Sequence, residues 1–99
     1  MITITQKLQG DTDIAEDTEI LGIIEGNVTV LPDVQLELRG MIIGDVVMHP
    51  GSSAYLYGSI DGSVINQGGY VMIYGEINGK VIEISGITKI DKNAKLPPE

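Results

Sequence analysis

Aliphatic residues recur at every second position along much of this chain, and glycine interrupts them at fixed intervals. The clearest form is Gly-x-Ile-x-Gly-x-Val, at Gly22–Val28, Gly40–Val46, Gly58–Val64 and Gly75–Val81, copies 18, 18 and 17 residues apart. Successive side chains of a strand point to opposite sides. One parity therefore collects Ile20, Ile24, Val28 and Val30 in the first copy, and Leu36, Leu38, Ile42, Val46 and Met48 in the second. It continues with Ala54, Leu56, Ile60, Val64 and Asn66, then Val71, Ile73, Ile77, Val81 and Glu83. Aliphatic residues stack on aliphatic residues of the neighbouring copy, which makes this parity the core.

The glycines stack as well, in two sets: Gly22, Gly40, Gly58 and Gly75, and Gly26, Gly44, Gly62 and Gly79. They read as corners, where the backbone bends sharply or takes positive φ and a side chain would crowd the core. A repeat of about 18 residues bent at glycines is the perimeter of a three-sided β-solenoid, each coil one strand spacing from the next. Pro32-Asp33, Pro50-Gly51-Ser52-Ser53, Gly68-Gly69 and Ser85-Gly86 recur once per coil as the third corner. The competing all-β arrangement, an antiparallel sandwich, calls for hairpin turns every ~8–12 residues and no long period.

The expected architecture is thus one all-β domain of four to five coils over residues 20–90. Residues 1–19 read as an N-terminal strand, Ile2-Thr-Ile-Thr5, followed by an acidic cap. The segment Asp11–Glu19 is poor in strand formers and is expected as a turn of helix capped by Asp11 or Thr12, or as a solvated loop. A fifth, incomplete coil runs from Ile84 to Ile90, with Thr88 and Ile90 in line with Val71 and Ile73. Residues 91–99 form a C-terminal cap or tail, in which Pro97-Pro98 ends the strand stacking.

Within that repeat, Glu25-Gly26-Asn27-Val28, Ile43-Gly44-Asp45-Val46 and Asp61-Gly62-Ser63-Val64 resemble the coils of bactofilins, over roughly residues 20–90. The resemblance implies a right-handed β-helix and a polymer-forming, nucleotide-independent bacterial scaffold. Both ends of this chain read as guarded, by the acidic 11–19 segment and by the proline pair, whereas joining through coil ends wants open strand edges.

Composition narrows the function. The chain has 99 residues, no cysteine and a net charge of −8. Eleven acidic residues and one basic residue, Arg39, lie between Leu8 and Gly79, while Lys80, Lys89, Lys92 and Lys95 follow. Such a field repels nucleic acid and anionic membranes and speeds encounter with a basic protein. No apolar run approaches the ~20 residues of a membrane span, and the start carries no signal-peptide pattern. A cytoplasmic protein is expected.

Catalysis is not expected, nor is a cofactor or a metal. A zinc site between coils needs three ligands, and the only histidine is His49, at a corner before Pro50-Gly51. The column Asn27, Asp45, Ser63 and Lys80 contains one acid and reads as a solvated face. A phosphate-binding glycine loop, a calcium nonapeptide and a Gly-x-Ser-x-Gly elbow are all missing.

The outward parity holds the candidate site. Leu21, Arg39, Tyr57 and Tyr74 form one column, and Glu19, Glu37, Tyr55 and Met72 the next. Tyrosine, methionine and arginine are enriched at protein interfaces, so Arg39, Glu37, Tyr55, Tyr57, Met72 and Tyr74 are the expected contact residues. A ladder of stacked aromatics that serves only the sheet accounts for the same pattern. A second apolar column, Val47, Ile65 and Ile82, is either covered by the Ile2/Ile4 strand or the C-terminal tail, or is a further contact. Two functions fit: a self-assembling scaffold module, or a small acidic immunity or inhibitor protein that neutralises a basic partner such as a bacterial toxin.

Overall fold

A computed structural model describes residues 1–97. Fourteen short strands form it, all paired in parallel: β1 (Ile2–Ile4), β2 (Lys7–Gln9), β3 (Thr12–Ile14), β4 (Thr18–Ile20), β5 (Ile23–Glu25), β6 (Val28–Val30) and β7 (Gln35–Leu38). They continue as β8 (Met41–Ile43), β9 (Val46–Met48), β10 (Ser53–Leu56), β11 (Ser59–Ile60), β12 (Val64–Ile73), β13 (Glu76–Ile77) and β14 (Val81–Ile90). Three faces result. The first stacks β1, β4, β7, β10 and the second halves of β12 and β14. On the second lie β2, β5, β8, β11 and β13. The third takes β3, β6, β9 and the first halves of β12 and β14.

Register fixes the coil length. Ile2 lies opposite Thr18, Thr18 opposite Leu36, Leu36 opposite Ala54, Ala54 opposite Val71, and Val71 opposite Thr88. The chain is a three-sided β-solenoid of about five turns, with about 17 residues in each. The inward parity is the core: every aliphatic side chain from Ile20 to Ile77 on that parity is buried. On this parity burial falls off at both ends of the stack, at Ile4, Leu8 and Thr12 in the first coil and at Val81, Glu83, Thr88 and Ile90 in the last.

The glycines hold the corners for two reasons: Gly26 and Gly44 take the expected positive φ, 155° and 158°, and the neighbouring coil leaves no room for a side chain. A methyl group on Gly40, Gly58 or Gly75 would run into the backbone carbonyl oxygen of Gly22, Gly40 or Gly58 respectively, one coil earlier. The second set meets backbone in the same way, Gly44 against Gly26 and Gly62 against Gly44. The obstacle is the neighbouring coil's main chain, not the core. Positive φ matters also at the third corner, where Asp33 has φ 65° and Gly51 φ 81°.

The acidic segment departs from expectation too. Residues 11–19 are neither helix nor capping loop: they run through β3 and the corner after it into β4, from the end of the first coil to the start of the second. Thr12, Ile14 and Thr18 turn inward, opposite Val28, Val30 and Leu36. Asp13 and Glu19 point outward from the strands. The tail differs as well. After a turn at Lys92-Asn93, Lys95 pairs with Glu76, and its backbone N–H donates to the Gly75 carbonyl at 2.9 Å while its carbonyl accepts from Ile77 N–H at 2.9 Å. The stacking therefore runs past the lysine-rich segment onto the second face. Pro98, half of the expected proline stop, lies outside the described residues.

Side chains complete the ladder at the corners. The Asp11 carboxylate accepts from Asn27 N–H at 2.9 Å, Asn27 Oδ1 from Asp45 N–H at 2.9 Å, and Asp45 from Ser63 N–H at 2.8 Å. Ser63 Oγ then accepts from Lys80 N–H at 2.9 Å. The polar column read as a solvated face is thus a structural spine, in which each coil's side chain satisfies an amide that bends away from the backbone ladder. Asn66 does similar work inside. Its Oδ1 accepts from Gly68 N–H (3.1 Å) and Gly69 N–H (2.7 Å), and its Nδ2 donates to Gly69 O, Ile87 O and Thr88 Oγ1.

Candidate functional site

The first face carries all four tyrosines. β10 contributes Tyr55, and Tyr57 follows directly after it. β12 contributes Tyr70 and is followed by Tyr74. Because the strands are parallel and in register, residues 17 apart come to lie side by side. Tyr57 and Tyr74 stack with ring centroids 4.9 Å apart and planes 5° from parallel. Tyr55 and Tyr70 are tilted at 57°, 6.3 Å apart.

Arg39, one coil before Tyr57, places its guanidinium 4.6 Å from the Tyr57 centroid. Two carboxylates hold it there: Glu37 at 2.7 Å from Nη2, and Glu19 at 3.3 Å from Nε. The Glu37 hydrogen bond, followed by the charges of Glu37 and Glu19, raises the Arg39 pKa further despite partial desolvation. The guanidinium therefore stays charged at any physiological pH. Tyr74 is pushed above its ordinary value of 10.0, first by desolvation and then by the neighbouring Tyr57.

The expected contact residues are thus brought together. Arg39, Tyr57 and Tyr74 form a continuous stack, while Glu37, Tyr55 and Met72 line the adjacent column. Both faces of the Tyr57 ring are occupied, by Arg39 and by Tyr74. Ring edges and hydroxyls face solvent, with Tyr57 42% and Tyr74 36% exposed. Such a surface is a firm amphipathic platform, and neither face of the Tyr57 ring is free for stacking against a ligand.

Two groups of outward residues escaped the sequence reading. Tyr70 and Ile87 extend the aromatic face, in register with Ser53 and with each other. They keep the 17-residue register of their neighbours, but the column they extend begins with Gln35 and Ser53, which carry no apolar signal. On the second face, Ile23, Met41 and Ile43 are exposed. Their signal was present, since Gly22-Ile-Ile and Gly40-Met-Ile-Ile put an aliphatic residue on both parities. The column Val47, Ile65 and Ile82 runs along the third face, with Ile82 exposed and the other two half-buried. The Ile2–Ile4 strand does not cover it, because that strand pairs on the first face with β4.

The ends of the solenoid form a third kind of surface. Among the described residues β1, β2 and β3 each pair on one side only, with β4, β5 and β6, and β14 pairs only with β12. At the C-terminal end the core opens into a cavity of about 1000 Å³ lined by Val81, Glu83, Thr88, Ile90 and Leu96 among others. His49 sits at a corner, where its carbonyl accepts the Ser52 hydroxyl at 2.6 Å. No group of three or more His, Cys, Asp or Glu side chains is placed to hold a metal ion among the described residues. No helix of the structure is long and apolar enough to cross a membrane.

Comparison with known protein families, with curated proteins and with solved structures finds no match for this chain.

Proposed function

We propose that this chain is a non-catalytic self-assembly module, a scaffold unit of the kind its bactofilin-like coils imply. The observation that carries the reading is the pair of open ends. Strand edges with unsatisfied donors and acceptors are templates for further strands, and soluble proteins usually blunt them with charge, proline or a covering segment. Here the expected acidic cap is itself coil, and apolar side chains stand exposed at both termini of the stack, from Met1 and Ile2 at one end to Ile84, Ile87 and Ile90 at the other. The tyrosine face supplies a lateral surface for a partner protein.

The alternative, an acidic protein that neutralises a basic partner, rests on the net charge of −8, the compact single-domain length, the aromatic face edged by Glu19 and Glu37, and guarded ends. The carboxylates are there to steer a basic partner, but open edges favour self-association. Negative-stain electron microscopy and concentration-dependent light scattering test the proposal. Filaments or a mass that grows with concentration are expected. A strict monomer at high concentration overturns it.

A further inference from the structure

The two ends of the solenoid are unlike, and their differences are complementary. Asp11, Asp13, Glu16, Asp17 and Glu19 cluster in the first coil and at the start of the second, with no basic residue among them. Lys80, Lys89, Lys92 and Lys95 cluster in the last coil, where they outnumber the two carboxylates Glu83 and Asp91. The corner spine has the same polarity, beginning at the Asp11 carboxylate and ending at Lys80.

The core columns match as well. Ile4 stands in the column that runs through Ile20, Leu38, Leu56 and Ile73 to Ile90. Leu8 stands in that of Ile24, Ile42, Ile60 and Ile77, which Leu96, next to the paired Lys95, extends. Ile2 and Ile90 are each 46% exposed, and Ile4 and Leu8 are half-buried. An apolar cavity at one end thus faces apolar side chains of the same columns at the other.

From these observations we infer that a second copy of the chain stacks head-to-tail, its β1 taking the strand position beyond Thr88–Ile90 on the first face. This deepens the self-assembly reading and rests on it. Every ladder within the chain is parallel, and head-to-tail stacking alone continues the first two faces as parallel ladders; the third face, which among the described residues ends at Val81–Glu83, is left one row short. Like-to-like stacking sets the five carboxylates against each other, or the lysines against each other, and like charges brought together oppose association. Head-to-tail stacking brings the Asp11 end of one spine toward the Lys80 end of the next. One like-charge pair results, Lys7 over Lys95, and Lys7 is ion-paired with Glu25 of its own copy. A contact between two different patches that repeats along the solenoid axis gives no closed ring, so the product is a polar filament.

Cysteine cross-linking reads the polarity directly, since the chain has no cysteine of its own. Thr3 belongs to the outward column that runs through Glu19, Glu37, Tyr55 and Met72 to Lys89. Head-to-tail stacking places Thr3 of one copy beside Lys89 of the next, at the strand spacing a disulfide spans. Under mild oxidation the Thr3→Cys/Lys89→Cys double variant is expected to give a covalent ladder of dimers, trimers and longer species. Each single variant is expected to remain uncross-linked. A covalent dimer from either single variant, or assemblies of the double variant that do not cross-link, overturns the polarity while leaving self-assembly intact. Light scattering on the unmodified chain separates the two levels: absence of any assembly overturns the self-assembly reading itself. Raising salt from ~0.05 to ~0.5 M, which shortens the screening length severalfold, is expected to lower the mean assembly mass severalfold. An unchanged mass overturns the role given to charge.

Discussion

The Arg39 guanidinium lies 4.6 Å from the centre of the Tyr57 ring, while Glu37 and Glu19 hold its nitrogens. Attraction to the ring face and the two ion pairs act on one side chain, so the contacts are coupled. Arg39→Leu and Tyr57→Leu are each expected to lower the melting temperature, with the double variant losing less than the sum of the two. Strict additivity in a thermal double-mutant cycle would show that the guanidinium and ring do not interact.

Gly58 and Gly10 separate two reasons for glycine at a corner. A methyl at Gly58 would strike the Gly40 carbonyl, whereas one at Gly10 meets nothing within 4 Å but carries φ +107°. Gly10→Ala is expected to cost about 1–2 kcal/mol of backbone strain. Gly58→Ala must open the gap between coils and is expected to cost more than about 3 kcal/mol. Urea unfolding of the two variants gives the order, and a Gly58→Ala chain as stable as the parent refutes the close-approach account.

Asn66 joins five hydrogen bonds at the third corner, two of them from the half-buried amide of Gly68 and the buried amide of Gly69. Leaving such groups without a partner costs about 1–3 kcal/mol each. Asn66→Leu, close in volume and apolar like Val30 and Met48 in the same column, is nevertheless expected to destabilise by about 3 kcal/mol. Hydrogen exchange is expected to accelerate first at Gly68 and Gly69. A variant with unchanged protection there would remove the side chain's assigned role.

Tyr74 supplies a pH dependence whose sign is fixed by its raised pKa. Its neutral form is favoured in the folded state, so its contribution is complete below the unfolded phenol value of 10.0 and is lost as pH rises through the higher folded value. Melting temperature is expected to fall above pH 10 more steeply for the parent than for Tyr74→Phe, which cannot ionise there. Identical alkaline profiles for the two chains would contradict this.

The coils were legible because their cause is local and repeated. An aliphatic residue every second position, with glycine at fixed intervals, leaves little choice but stacked strands, and Leu36 through Ile77 sit where parity puts them. The first coil was harder to see. Gln6-Lys-Leu-Gln-Gly10-Asp-Thr12 is a worn copy of the repeat, with Gln6 in place of the first glycine and Thr12 in place of valine. The main chain at position 6 still sets the close approach, since a methyl on Gly22 would strike the Gln6 carbonyl. Likewise Asp11–Glu19 alternates in the strand period once Thr12 and Thr18 are counted as inward residues. On the tyrosine face, Arg39, Tyr57 and Tyr74 followed from the spacing of 18 and 17. Tyr70 did not stand out, because its column begins with the polar residues Gln35 and Ser53 even though the register of 17 holds there. Open ends were the least visible feature, since an edge is defined by the strand that is missing rather than by any residue type.

The spine from Asp11 to Lys80 has a consequence for how such a chain changes length. Each internal coil brings an oxygen for the amide ahead and an amide for the oxygen behind, so every unit carries both halves of its own junction. Duplicating residues 36–53 in tandem would insert Asp45 twice, and the second copy would find the same partners as the first. The molecule can therefore be extended by whole turns, about 4.8 Å at a time, without redesigning either terminus. In that sense the fold is a ruler whose graduations are written in the sequence.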